Sequence, residues 1–237
     1  MKLYVNGDSH AAAAEAVNNH AFAEDDPKFN YLKRAPHPDN WQVGWPRRLT
    51  EHIKAVLHTD AESASSNARI LRTTREWVMR NQSWLPETLV VIQWSTWERE
   101  EWWDEGVSYQ VTASGTDDVP SSLRKKYKKW ISDLNYRDCT RRAHEDIWQL
   151  HLELRAQNVR HVFFNGNNHF GDIVENQRRD WGINYIMPYS PDFTYDAYLR
   201  RNRFRTVSPK SWHYGQQAHA AWANFMLNYI IDNELLV

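Results

Sequence analysis

With 237 residues, 41% hydrophobic and 25% charged, the chain has the make-up of a folded domain with a substantial core, not of a disordered or collagen-like polymer. A formal net charge of −1 gives no electrostatic reason to expect a nucleic-acid partner or an anionic membrane surface, and no apolar run approaches the roughly 18 residues that a spanning helix needs. The one cysteine, Cys139, excludes an intramolecular disulfide and suits a reducing compartment; its neighbours Arg137, Asp138, Thr140 and Arg141 read as an exposed helix.

Residues 2–6 read as a first strand that runs into Gly7-Asp8-Ser9-His10 and an alanine-rich helix over 10–18. Such a turn lifts the Ser9 hydroxyl above the C-terminal edge of a sheet and aims helix N-terminal N–H groups beside it. That is the placement of a nucleophile with its oxyanion donors. The same residues also make an ordinary serine cap, and Ala11 departs from the Gly-x-Ser-x-Gly elbow of α/β-hydrolases. No apolar segment of the signal-peptide kind precedes Gly7.

Residues 22–46, rich in Pro, Asn, Asp and aromatics, read as an excursion on the site side of the sheet. A helix over 47–54 leads to a strand over 55–59. After a turn, Ser66 or Asn67 caps a helix reaching about residue 81, with Ile70, Thr74, Trp77 and Val78 on one face. The Leu-Val-Val-Ile centre of residues 88–94 marks a strand buried on both faces. A second excursion over 98–119 carries a hairpin near 107–113. A long helix follows over 121–158, broken near 136–138, and its basic run 124–129 reads as a solvated face.

A strand over 161–165 ends in Asn165-Gly166-Asn167-Asn168-His169, at the edge where open α/β sheets bind ligands. A short fifth strand over 184–187 and a last helix over 215–232 complete the pattern. The expected fold is α/β, a three-layer flavodoxin-like sandwich in a single domain over 1–237, its central parallel sheet of about five strands covered by helices on both faces.

A serine nucleophile needs a base. His213 precedes the last helix on a loop that a doubly wound sheet returns to the Ser9 edge, and imidazole titrates near neutrality. The spacings of His10, His169, His213 and His219 match no zinc or calcium pattern, and no Gly-x-Gly-x-x-Gly or phosphate loop is present, so neither metal nor cofactor is expected. The 13 Trp, 11 Tyr and 8 Phe either fill the core or, in polar segments such as 97–103, offer flat contact area for sugars or partners.

Gly7-Asp8-Ser9 at one end, and His213 followed by His219 and an Ala-Trp-Ala run at the other, resemble the first and last blocks of the SGNH/GDSL hydrolase family. More narrowly, the chain is similar to SGNH-like proteins encoded by T4-like phages of marine cyanobacteria. The resemblance implies the SGNH hydrolase fold, catalysis by Ser9 and His213, and a place in the infected host's cytoplasm or in the virion.

It also exposes departures. Lys210 stands where the family carries its triad Asp; Ser65 replaces the second-block Gly; Gln93-Trp94-Ser95-Thr96 replaces the third block, with Ser95 at the oxyanion Asn. Asp192 or Asp196 is then the expected substitute acid. The oxyanion donors are expected among the Ser9 and Ser65 amides, Ser95, Asn67, Asn165 and Asn167. The function expected is a serine esterase acting on small acyl esters, O-acetyl groups of a glycan included, through a Ser–His dyad or atypical triad. The rival readings are a non-catalytic binding module on the same fold and a flavodoxin-like nucleotide binder.

Overall fold

The computed structural model describes residues 1–22, 35–113 and 119–236; residues 23–34 of the first expected excursion and 114–118 of the second lie outside the described residues. Along the chain come β1 (Lys2–Asn6), α1 (Pro38–Val43), α2 (Trp45–Ile53), β2 (Val56–Thr59), α3 (Asn67–Arg80) and β3 (Thr88–Trp94). They are followed by β4 (Glu100–Asp104), β5 (Val107–Val111), α4 (Arg124–Asp133), α5 (Tyr136–Ala156), β6 (Arg160–Asn165), α6 (Tyr195–Arg201) and α7 (Gln216–Asp232).

The main sheet has four parallel strands in the order β2-β1-β3-β6, and β4 pairs antiparallel with β5 in a separate hairpin. Alternation along the strands sorts the core into two layers. Leu3, Val5, Leu89, Val91, Val162 and Phe164 face α2, α6 and α7 across Trp45, Leu49, Tyr195, Trp222 and Met226. Tyr4, Val90, Ile92, Trp94 and Phe163 face α3 and α5 across Ile70, Trp77, Ile147 and Leu150. All seven residues of β3 are buried, as a central strand covered on both faces requires.

Because the strands are parallel, their C-terminal ends share one edge. The order reverses between β1 and β3, and at such a switch point the outgoing loops diverge and leave a crevice. The loop carrying Ser9 leaves β1 at that point.

The expected fifth strand is absent. Residues 184–187 contribute a single bridge, Phe163 to Tyr185, before Met187 (φ 40°) and Pro188 turn the chain away. The expected helix over 10–18 is also absent: a turn replaces it, with Ala13 (φ 56°) and Glu15 (φ 60°) in the left-handed region. Cys139 lies on α5 but is buried, and burial raises its thiol pKa, so it is neither exposed nor activated. Most tryptophans of the polar stretch are core: Trp97 is 5% exposed and Trp102 4%. Among the described residues no helix is long and apolar enough to cross a membrane.

Candidate active site

Asp8 organises the loop after β1. It is buried, and its carboxylate accepts from the His10 N–H (3.0 Å), Gln93 Nε2 (2.9 Å), the Ser95 hydroxyl (2.8 Å) and Arg99 Nη1 (3.2 Å). Burial pushes its pKa up, but His10, Arg99 and the donated hydrogen bonds outweigh this and hold it below the usual carboxylate range. Two glycines make room for Gln93: a Cβ at Gly7 would lie 3.0 Å from Gln93 Oε1, and one at Gly166 would lie 2.6 Å from its Nε2. Gln93 Oε1 in turn accepts from the Ala11 N–H at 3.0 Å, so the turn is tied to β3 instead of continuing as a helix.

That turn delivers Glu15 to His213. The two residues meet at 3.0 Å, Oε2 to Nδ1. Ser211 braces the pair: its hydroxyl donates to the same Glu15 oxygen and accepts the His213 N–H at 3.0 Å. The His213 carbonyl accepts from the Val207 N–H at 2.9 Å, which fixes the loop. Burial raises the Glu15 pKa, but the hydrogen bonds from Ser211 and His213 bring it below its ordinary value. A carboxylate on Nδ1 selects the tautomer with its proton there, leaving a lone pair on Nε2. Nε2 has no partner among the described residues.

Ser9 and His213 line one cavity of about 680 Å³, together with Ala64, Arg99, Asn167 and Trp212. No hydrogen bond joins Ser9 to His213 among the described residues. The backbone N–H groups of Ser9 and Ala64 likewise have no acceptor among the described residues. Ala64 holds a left-handed φ of 66°. Thr96 Oγ1, buried and unpartnered among the described residues, belongs to a residue of the same cavity wall.

Two further histidines are buried beside the site, and His10 lines the same cavity with its ring 5.7 Å from that of His213. His10 packs on Tyr195 with ring centres 5.0 Å apart, and burial lowers its pKa to about 4. His219 is buried; its Nδ1 accepts the Trp45 N–H at 3.3 Å at the start of α2, and burial lowers its pKa to about 3.

The expected accessory residues are engaged elsewhere. Asp196 borders the cavity but pairs with Arg200 (2.8 Å) and the Tyr214 hydroxyl (2.6 Å), while Asp192 is exposed and makes no contact with His213 among the described residues. The Ser65 N–H donates to the Glu62 carbonyl at 3.1 Å; the left-handed residue beside it, Ala64, is the one that faces the cavity. Ser95 serves Asp8 and Arg99. The Asn67 amide bonds the Ser95 backbone on both sides, at 2.8 and 3.2 Å. Asn165 holds the Tyr185 hydroxyl and the Pro188 carbonyl, leaving only Asn167 of the asparagines expected as donors on the cavity wall.

No family model and no curated protein matches the chain. Among solved structures it is similar to an acetyl xylan esterase, Est2A, from the rumen bacterium Butyrivibrio proteoclasticus, with 12% identity and a TM-score of 0.50 over 98% of this chain and 64% of that one. It is also similar to the psychrotrophic esterase EstA from Pseudoalteromonas sp., with 11% identity and a TM-score of 0.49 over 98% of each chain. At 12% identity the likeness to Est2A is one of fold.

Proposed function

We propose that the chain is a serine ester hydrolase of SGNH type, with Ser9 as nucleophile, His213 as base and Glu15 as the acid that orients it. The observation that carries this reading is the His213 imidazole, anchored through Nδ1 by Glu15 and with Nε2 unpaired among the described residues, in the same cavity as Ser9. As Ser9 Oγ bonds to the acyl carbon, Nε2 takes its proton and the carbonyl oxygen becomes an oxyanion. The Ser9 and Ala64 N–H groups donate to that oxygen. The C–O bond to the alcohol then breaks, and the departing oxygen takes the proton from Nε2. Water repeats the sequence on the acyl-enzyme and frees the acid.

The non-catalytic reading draws on Lys210 at the family's acid position, on the altered third block and on the exposed aromatics; the Glu15 carboxylate on His213 Nδ1 weighs against the first of these. The test is turnover of nitrophenyl acetate by purified protein beside Ser9→Ala. Hydrolysis confined to the wild type is expected; equal rates in the two remove the proposal.

A further inference from the structure

We propose that a basic cleft beside the Ser9 cavity binds the anionic backbone of an O-acylated, carboxylate-bearing polysaccharide, so that the ester presented to Ser9 is one carried on an acidic glycan. This names a substrate class and rests on the hydrolase reading. The cleft, about 1150 Å³, runs along the loop between α6 and α7. Its wall carries Arg200, Arg203, Arg205 and Lys210, and no carboxylate lines it among the described residues. Arg200 is neutralised by Asp196 at 2.8 Å. Arg203, Arg205 and Lys210 are exposed and make no ion pair among the described residues. In a chain of net charge −1, this is a local excess of cations.

Trp212 joins the two spaces. It is 69% exposed and lines both the cleft and the Ser9 cavity, one residue before His213. An indole so placed offers its face to a sugar ring while the cations meet carboxylates further along. The cleft and the cavity together exceed what a short acyl ester occupies. The chemistry next door selects among polyanions: a nucleic acid carries phosphodiesters and no carboxylic ester, whereas an acylated polyuronate carries both the repeated charge and the ester.

The test compares kcat/KM for an O-acetylated oligogalacturonate and an O-acetylated xylo-oligosaccharide of equal length, in the wild type and in the combined variant Arg203→Ser, Arg205→Ser, Lys210→Ser. Taking the acidic-to-neutral ratio within each protein cancels any loss of active enzyme. A ratio of about tenfold is expected for the wild type at low salt, falling towards unity in the variant and at about 0.5 M salt. Calorimetric binding of unacetylated oligogalacturonate to Ser9→Ala is the second arm. Equal wild-type rates on both esters, without binding, overturn the cleft assignment and leave the hydrolase. Binding without turnover of either ester supports the cleft and removes the hydrolase. Tighter binding of single-stranded DNA or of anionic lipid vesicles than of oligogalacturonate also overturns the assignment.

Discussion

Glu15 Oε2 and His213 Nδ1 lie 3.0 Å apart, so the acid on this imidazole comes from the first loop of the chain and not from the loop that holds the histidine. The position three residues before His213 is Lys210, which is exposed and points its chemistry to the neighbouring cleft.

Glu15→Gln tests that relationship. Loss of the orienting charge in a serine–histidine–acid system costs roughly 10⁴ in kcat. A fall of that order on nitrophenyl acetate is expected, with KM little changed and partial recovery in Glu15→Asp. A thermal midpoint close to wild type separates this from unfolding. Full activity in Glu15→Gln contradicts the assigned role.

Ser95→Ala separates a donor to Asp8 from a donor to the substrate. Its hydroxyl is committed to the Asp8 carboxylate at 2.8 Å, so the substitution is expected to lower stability by about 1–3 kcal/mol in urea unfolding while kcat stays near wild type. A kcat loss of roughly 10²–10³ with unchanged stability is the signature of an oxyanion donor and contradicts this placement.

Ala64→Gly relieves the left-handed φ of 66° at a residue of the cavity wall without removing its backbone amide. The strain relieved is about 1–2 kcal/mol, offset in part by the entropy of an unfolded glycine. A net gain of about 0.5–1 kcal/mol in unfolding free energy with kcat retained is expected. Loss of stability in this variant contradicts the assigned backbone conformation.

Stability is expected to fall with acid from about pH 6.5, where the histidines of the unfolded chain begin to take up protons. Burial lowers the pKa of His10, His144, His151 and His161 to about 4 and that of His219 to about 3. Between pH 6.5 and about 4 the unfolded chain binds protons that the folded chain refuses, so unfolding free energy rises with pH across that window and is lost as pH falls through it. Each such histidine adds up to about 1.4 kcal/mol per pH unit to the slope. The depressed carboxylates Asp8 and Glu15 contribute a further loss at lower pH. Urea midpoints measured from pH 7 to 4 check this; a flat profile contradicts it.

The sheet and its covering helices were readable wherever one signal dominated. Strand β3 has an uninterrupted apolar centre, and α3 begins where Ser66 accepts the Arg69 N–H at 3.2 Å. Ser9 and His213 were readable as the two ends of one edge. Glu15 was not: the run Ala11–Ala12–Ala13–Ala14 has the highest helix propensity available, and a tertiary hydrogen bond to Gln93 with two left-handed residues overrides it. The place of Ala64 on the cavity wall was not legible, because alanine gives no sign of a left-handed backbone, which glycine would have shown. Asn67 and Asn165 were misread since a side-chain amide advertises hydrogen bonding but not its partner, and here the partners are the protein's own backbone and Tyr185.

The most direct measurement is stoichiometric labelling by a fluorophosphonate probe, mapped by peptide mass spectrometry in the wild type, Ser9→Ala and His213→Ala. Modification is expected at Ser9 in the wild type, absent from that site in Ser9→Ala and at least about a hundredfold slower in His213→Ala. Folded wild-type protein that takes up no probe, or takes it up at another residue at the same rate in all three, contradicts a hydroxyl activated by the imidazole across this cavity.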